Sequence, residues 1–145
     1  MKKDVRKNRE AAIFVHRGAE FLMARRARDG IWNVIAGQIE DGEAFADGAA
    51  RELMEEAALD APLIDLDLAQ VYEVEPQFRH LYAPGEYKVT IASYAAEAPA
   101  GWEPTLNHEH DTYRWCSVAD AIALAHWPEV EEGIRAVARL RGLLD

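Results

Sequence analysis

Apolar and polar residues alternate along the first third of the chain in the pattern of short β-strands. Residues 10–16 and 20–26 are apolar runs joined by a three-residue turn that contains Gly18, which predicts a β-hairpin. Residues 32–35 form another short apolar strand. This strand ends at Gly37, where the absence of a side chain lets the backbone turn towards the next element.

After Gly37 the period changes to that of a helix, which we predict over residues 44–57. Glu43 is favourable near its positive end, and Pro62 follows its stop. Gly48 inside this helix costs about 1 kcal/mol relative to alanine. One stripe is small and apolar, and therefore is expected to pack on a core; it consists of Ala46, Ala49, Ala50, Leu53 and Ala57.

The second half of the chain continues this mixture of periods. Residues 63–74, 87–96 and 112–116 each read as a strand. Ser117 is expected to cap a short helix, and Pro128 to open the last one. Strands interleaved with helices predict an α/β protein, with an α/β/α sandwich around a mixed sheet.

Length and composition indicate one domain over residues 1–145, because 145 residues that are half hydrophobic suit a single core. No apolar run approaches the roughly 18 residues that cross a bilayer, so no membrane association is expected. The polar N-terminus does not resemble a signal peptide. A lone cysteine, Cys116, fits a reducing compartment and lies in an apolar stretch that predicts burial. We therefore expect a cytoplasmic protein.

Charge limits the partners that the protein can bind. The formal net charge of −10 argues against binding to a nucleic acid polymer, which needs a basic face. Basic residues are nevertheless clustered in two places. The group Lys2, Lys3, Arg6, Lys7 and Arg9 is expected to be a solvated terminus. The group Arg25, Arg26 and Arg28 precedes the central helix and is the better candidate for binding phosphate.

Three glutamates on the central helix form its most informative feature. Glu52, Glu55 and Glu56 fall within about a third of a turn of one another. Like charges at this spacing destabilise a helix by a few tenths of a kcal/mol per pair. A hard divalent cation removes that repulsion, and magnesium binds carboxylate, water and phosphate oxygens together. An acidic solvated face is the alternative, but lysine partners at i+4 are missing, which favours a metal–phosphate site.

The segment around these glutamates resembles the Nudix box, G-x5-E-x7-R-E-U-x-E-E-x-G-U, where U is bulky and apolar. The matching positions are Gly37, Glu43, Arg51, Glu52, Leu53, Glu55, Glu56 and Leu59. One position departs, because Ala58 replaces the last glycine of the box and puts the local turn geometry in question. The resemblance implies the Nudix fold, an α/β/α sandwich with the box as loop–helix–loop. It also implies a hydrolase that cleaves a diphosphate bridge with Mg²⁺ or Mn²⁺.

The resemblance assigns roles to individual residues. Glu52, Glu55 and Glu56 would bind the metal, and Arg51 would hold these carboxylates in place. Glu43 would lie at the edge of the metal site or add a ligand. Gly37 would also belong to the metal site. A later carboxylate, for which Glu109 is the leading candidate, would complete the metal site or act as the general base in place of a glutamate of the box. Its competitors are Glu103, His108, His110 and Asp111.

Segments outside the box resemble bacterial Nudix enzymes that act on deoxyadenosine triphosphate and dihydroneopterin triphosphate. These segments are residues 109–115 and 79–85, together with Arg25 and Arg26 ahead of Trp32, and Trp127. The resemblance makes five residues candidates for substrate binding: Arg25, Arg26, Trp32, Arg79 and His80. Each also has an ordinary explanation, a loop surface for the charged residues and strand packing for Trp32.

These resemblances favour a Mg²⁺-dependent pyrophosphohydrolase that converts a nucleoside or pterin triphosphate to a monophosphate and pyrophosphate. A rival substrate is ADP-ribose or another nucleotide–sugar diphosphate, which Pro76 weakly favours by its distance from the box. A third possibility is a sensor that binds nucleotides without turnover. Such proteins usually show a damaged box, whereas every acidic position is present in this chain.

Overall fold

The computed structural model describes residues 5–144. In chain order the strands are β1 Arg9–Arg17, β2 Glu20–Arg26, β3 Trp32–Asn33, β4 Ile35–Gln38, β5 Ile64–Asp65, β6 Gln70–Glu73, β7 Lys88–Glu97 and β8 His110–Cys116. The helices are α1 Phe45–Ala57, α2 Val118–Leu124 and α3 Pro128–Leu140, with a short 3₁₀ helix at Pro76–Leu81. Among residues 5–144, no helix has the length and hydropathy required to span a membrane.

The strands form one mixed sheet whose main order is β3-β2-β1-β7-β5, with β8 on β2, β4 on β1 and β6 on β7. β1 and β7 are parallel, and every other pair is antiparallel. One face packs on α1 through residues that include Ile13, Leu22 and Leu53. The other face packs on α2 and α3 through Phe14, Met23 and Ile134. The predicted α/β/α sandwich with a mixed sheet is therefore confirmed.

Several boundaries predicted from periodicity are confirmed, and two strands are not. The predicted strand over residues 32–35 is two strands, because β3 pairs with β2 whereas β4 pairs with β1. The predicted strand over residues 63–74 is also two strands, interrupted where Asp67 takes a positive φ of 53° and its N–H donates to Asp65 Oδ1. The hairpin and the cap formed by Ser117, whose Oγ accepts from the Asp120 N–H, agree with expectation.

Within the N-terminal basic group, Arg6, Lys7 and Arg9 are partly buried and do not form the predicted solvated terminus. Lys7 Nζ lies 3.0 Å from Asp41, and Arg9 donates to the Glu43 carbonyl while lying over the Phe45 ring. These contacts hold residues 7–9 against the loop before α1. Lys2 and Lys3 fall outside the described residues.

The buried face of α1 also differs from the predicted stripe. Ala49, Leu53 and Ala57 are buried as expected, but Ala46 and Ala50 are exposed. Glu52 and Glu56 occupy the buried face in their place, with relative exposures of 8% and 1%. The glutamates therefore border the core instead of projecting from the side opposite to it.

Gly48, an expected weak point of α1, has a packing reason. A Cβ at this position would lie 2.5 Å from Ile39 Cδ1 and 2.7 Å from Glu43 Oε1. Glycine is favoured here despite its entropic cost because a side chain would have to displace the Ile39 and Glu43 side chains.

Ala58 keeps the turn geometry that the missing glycine normally provides. It adopts the left-handed conformation, with φ 58° and ψ 42°, and its N–H donates to the Met54 carbonyl. This conformation is unfavourable for alanine because Cβ crowds the carbonyl oxygen. We therefore expect Ala58→Gly to stabilise the fold by about 0.5–1 kcal/mol, measured by urea unfolding.

The matched control for this substitution is Ala50→Gly, at an exposed position inside the same helix. Glycine there should destabilise the fold by about 1 kcal/mol because the backbone is helical. If both glycine variants lose stability, the left-handed turn is not strained by Ala58.

Candidate active site

Glu56 is the most unusual polar group in the described chain. Its side chain is 1% exposed, and neither carboxylate oxygen has a hydrogen-bond partner. Burial, together with the neighbouring Glu52 and Glu109 carboxylates, raises its pKa to about 10. A buried carboxylate without partners is costly unless a cation compensates its charge. Its surroundings are therefore those of a cation ligand.

Arg51 organises the other carboxylates of the box. Its guanidinium donates to both oxygens of Glu43, at 2.9 and 3.0 Å, and to the Gln38 carbonyl at 3.0 Å. It also donates to Glu52 at 3.0 Å and to Glu55 at 3.3 Å. The paired arginine lowers the pKa of Glu43 to about 2. Arg51 therefore links both ends of the loop between β4 and α1, at Gln38 and Glu43, to the glutamates of α1.

Gly37 provides the space into which Glu52 fits. A Cβ on Gly37 would lie 2.2 Å from the Glu52 carboxylate carbon and 2.4 Å from its Oε2. β4 carries Gly37 into this position because it pairs with β1, where Gly37 is opposite Ala11. The glycine of the box is thus required by close approach and not by a left-handed turn.

Gly37→Ala tests this requirement. We expect the added methyl group to displace the Glu52 side chain and to reduce kcat by about 10- to 100-fold, with a smaller effect on unfolding. The measurement is steady-state hydrolysis together with a thermal melt. Unchanged turnover in the folded variant would show that the position of Glu52 is unimportant.

Glu109 reaches the site from the loop before β8. Its carbonyl accepts from the Ala27 N–H at 2.9 Å, and its own N–H donates to Asn107 Oδ1 at 3.0 Å. The side chain is exposed, and its charge acts on Glu56. Next to it, His110 is buried with Nδ1 3.7 Å from Glu56 Oε1. Burial lowers the pKa of His110, so a neutral imidazole faces Glu56.

These carboxylates are not already arranged as a closed metal cage. Among residues 5–144, no set of three His, Cys, Asp or Glu side chains is arranged to hold a metal ion. Glu52 and Glu55 are instead paired with Arg51. The Glu56 oxygens without hydrogen-bond partners, and the Glu52 carboxylate held against Gly37, nevertheless fit a hard cation with oxygen ligands. The site thus has the donors for a divalent ion but not their final arrangement.

The predicted phosphate-binding arginines are the last two residues of β2, just before the turn that is hydrogen-bonded to Glu109. Arg25 lies 3.1 Å from Asp111, and Arg26 pairs with Asp29 and stacks on Trp127 at 4.9 Å. Trp32 is half-buried beneath the Arg114 guanidinium, also at 4.9 Å, on the sheet face covered by α2 and α3. These residues border the site, and their part in substrate binding stays a prediction.

Arg79 and His80 belong to the 3₁₀ helix, which the sequence did not predict. Arg79 Nε donates to the Val74 carbonyl at 3.0 Å, and its guanidinium lies over the Tyr87 ring at 4.9 Å. His80 is exposed. Arg79 therefore has a structural role in its own turn, and substrate contact by either residue stays a prediction.

Sequence reasoning missed some of the groups around the site. The burial of His110 against Glu56 does not follow from the sequence, because strict alternation in residues 110–116 places His110 on the face opposite to Trp115. A register shift between Arg25 and Arg26, which the sequence pattern does not reveal, breaks this alternation. The hydrogen bond between Tyr72 and Glu10 cannot be predicted from local sequence, because the two residues are 62 positions apart. Only the pairing of β1 and β6 with β7 brings them together.

Comparison with known proteins extends these observations. A model of the NUDIX domain matches residues 6–139. The chain is 30% identical to dihydroneopterin triphosphate diphosphatase of Escherichia coli over 108 residues, which are 71% of each chain. A solved structure of the E. coli dihydroneopterin triphosphate pyrophosphohydrolase superposes with a TM-score of 0.83 at 26% identity, covering 92% of this chain and 96% of that one.

Two further relatives carry other names. The chain is 32% identical to the asymmetrical bis(5'-nucleosyl)-tetraphosphatase of Sus scrofa over 116 residues, 77% of this chain and 74% of that protein. It is 34% identical over 132 residues to an octanoyltransferase of Myxococcus xanthus. That match covers 86% of this chain but 34% of the relative, so the chain spans about a third of its length. Because the NUDIX model runs over nearly the whole chain and includes the helix with the buried glutamates, the protein belongs to the Nudix hydrolase family.

Proposed function

We propose that the protein is a Mg²⁺-dependent pyrophosphohydrolase that cleaves a nucleoside or pterin triphosphate to a monophosphate and pyrophosphate. The observation that carries this proposal is the buried Glu56 carboxylate, whose oxygens have no partner in the described chain and lie beside Glu52 and Glu109. Such a group is suited to a divalent cation, with Mn²⁺ as the alternative ion. The buried, free Cys116 is consistent with the cytoplasm as the expected location.

The residues of the site have distinct tasks in this proposal. When bound, Mg²⁺ supplies Lewis-acid stabilisation of the phosphate oxygens and acidifies bound water. Glu52, Glu55 and Glu56 would be its ligands, and Arg51 would hold the loop between β4 and α1 beside them. Glu109 is the proposed base, because it is exposed and next to Glu56, where it can accept a proton from water and pass it to solvent.

Arg25 and Arg26 are proposed to hold the polyphosphate. Their present partners are the exposed or partly exposed carboxylates Asp111 and Asp29. Exposed ion pairs of this kind are worth little, about 0–1 kcal/mol, so a phosphate can take the place of a carboxylate at small cost. The net charge of −10 makes these local cations important for a polyanionic substrate.

The comparisons support a triphosphate with a pterin or purine ring as the first choice of substrate. The E. coli relative named for dihydroneopterin triphosphate is similar both in sequence and in fold. A bis(5'-nucleosyl) tetraphosphate is the second candidate, favoured by the similarity to the Sus scrofa enzyme. ADP-ribose and nucleotide sensing without turnover are the remaining alternatives from sequence.

A substrate panel tests the proposal. The protein would be incubated with Mg²⁺ and, separately, with dihydroneopterin triphosphate, dATP, dGTP, diadenosine tetraphosphate and ADP-ribose, and products identified by chromatography. Pyrophosphate with a monophosphate is the expected result. A triphosphate plus a monophosphate from the tetraphosphate would favour the second candidate, AMP with ribose 5-phosphate would favour ADP-ribose, and saturable binding without products would favour a sensor.

A further inference from the structure

Glu10 is a carboxylate that the proposed chemistry does not use. It lies near the start of β1. The next residue, Ala11, packs on the α1 side of the sheet, and Ala12 packs on the α2–α3 side. Because successive side chains of a strand alternate between faces, Glu10 shares the face of Ala12 and lies opposite to the glutamates of α1. Its side chain keeps 20% of its surface exposed. A ligand can therefore reach it.

The contacts of Glu10 leave one of its oxygens available. The Tyr72 hydroxyl donates to Oε1 at 2.7 Å. Oε2 accepts no hydrogen bond within residues 5–144; its nearest cation is Arg6 Nη2 at 3.9 Å. Burial raises the pKa of Glu10, and the Tyr72 hydroxyl and Arg6 oppose this effect. The group is a positioned acceptor with unused capacity.

The topology of the sheet places Glu10 beside the route to the active site. Ala11, the next residue of β1, pairs with Gly37, whose Cα is covered by the Glu52 carboxylate. Next to this point the sheet divides, because β4 pairs with β1 whereas β3 pairs with β2. Glu10 belongs to β1 and Arg26 is the last residue of β2, so the two residues lie on the two sides of this division. A substrate with its phosphates near Arg26 can thus direct its ring towards Glu10.

The chemistry of the Glu10 carboxylate selects among rings. An ionised carboxylate only accepts hydrogen bonds, so it favours an edge with two adjacent N–H donors. A 2-amino-4-oxo-pyrimidine ring, as in guanine or a pterin, offers a ring N–H beside an exocyclic amino group. Adenine offers one amino group beside a ring nitrogen that repels the carboxylate. Tyr72, whose hydroxyl already holds Oε1, keeps the acceptor oriented.

We propose that Glu10 is a specificity-determining residue that binds the 2-amino-4-oxo edge of the substrate ring and disfavours adenine. This inference rests on the proposed function, because it names the ring of the same triphosphate substrate. Its structural alternative is that the Glu10–Tyr72 bond only holds β6 against the sheet.

The test is the ratio of kcat/KM for dGTP or dihydroneopterin triphosphate to that for dATP. The wild type should favour the 2-amino-4-oxo substrates, and Glu10→Gln should lower the ratio by about 10- to 100-fold, because glutamine offers one acceptor and one donor. Glu97→Gln, at the far end of β7 where Glu97 pairs with Arg141, is the matched control and should leave the ratio unchanged. An equal loss for every substrate, an unchanged ratio, or a wild-type preference for dATP would overturn the proposal.

A binding experiment and a second variant distinguish failure of this inference from failure of the proposed function. Binding of methylene-bridged, non-hydrolysable dGTP and dATP analogues by calorimetry reports selection without turnover, so loss of dGTP preference in Glu10→Gln supports Glu10 even if no triphosphate is hydrolysed. If Glu10→Gln does not fold, Tyr72→Phe removes only the hydroxyl that orients the carboxylate. It should lower the preference several-fold, and an unchanged preference would overturn the assignment.

Discussion

Glu56→Gln should reduce turnover by about 10³-fold or more while leaving the protein folded. The reason is that glutamine preserves the volume of a buried side chain but removes the negative charge needed by a divalent cation. The added amide can also donate to the neighbouring Glu52 carboxylate, which raises the pKa of Glu56 in the wild type. The measurements are steady-state hydrolysis with Mg²⁺ and thermal melts with and without the ion.

Without metal, the same substitution should increase the stability of the fold, although it reduces turnover. A carboxyl group whose folded pKa is raised gives stability below its unfolded pKa of about 4.5 and loses it as pH rises towards the folded pKa of about 10. Metal-free wild type should therefore lose stability across this interval, and Glu56→Gln should lose less. At pH 8 we expect the variant to be more stable than wild type by about 1–3 kcal/mol, without the Mg²⁺-induced rise in Tm.

Glu131→Gln, at a partly exposed site on α3, is the control and should change neither rate nor response to Mg²⁺. Near-normal turnover by Glu56→Gln would remove Glu56 from the metal site. A variant that is less stable than wild type at pH 8 would show that the buried carboxylate is compensated in some other way.

Arg51→Met should give the second large effect, because Arg51 joins three carboxylates and the Gln38 carbonyl. Methionine preserves part of the aliphatic length but leaves Glu43 and Glu52 facing each other without a cation. We expect a loss of about 2–4 kcal/mol in unfolding free energy and at least about 100-fold in kcat/KM. The measurements are urea unfolding and hydrolysis of the substrate identified by the panel.

Arg135→Met is the matched control, since Arg135 makes a single half-exposed i,i+4 pair with Glu131 on α3. Its loss should be below about 0.5 kcal/mol, as for other exposed helix pairs. Equal losses in the two variants would show that the four-partner arrangement of Arg51 adds nothing to an ordinary surface pair.

The sequence was sufficient for the features that depend on local periodicity and spacing. The hairpin, α1 and the cap at Ser117 follow from the neighbouring residues alone. The spacing within α1 also predicts that Glu52, Glu55 and Glu56 lie together, because three carboxylates on adjacent turns share a side of any helix.

The remaining features depend on contacts between distant segments. Whether residues 32–35 form one strand or two is decided by their partners, β1 and β2, and not by their own pattern. The burial of Glu52 depends on Gly37, and the burial of Glu56 depends on the packing of α1 against the sheet. In the same way, the Glu10–Tyr72 pair exists only because both strands adjoin β7. The periodicity of residues within one segment cannot predict these pairings.

The loop that delivers Glu109 is fastened by its backbone at two places. The Thr105 N–H donates to the Ala57 carbonyl at the end of α1, and the Glu109 carbonyl accepts from Ala27. The stretch between these anchors therefore has a fixed length, whereas the turn at Gly101, before the first anchor, is exposed. Protein engineers who extend this loop, or graft a peptide into it, should find that the Gly101 turn accepts additional residues and that the segment from 105 to 109 does not.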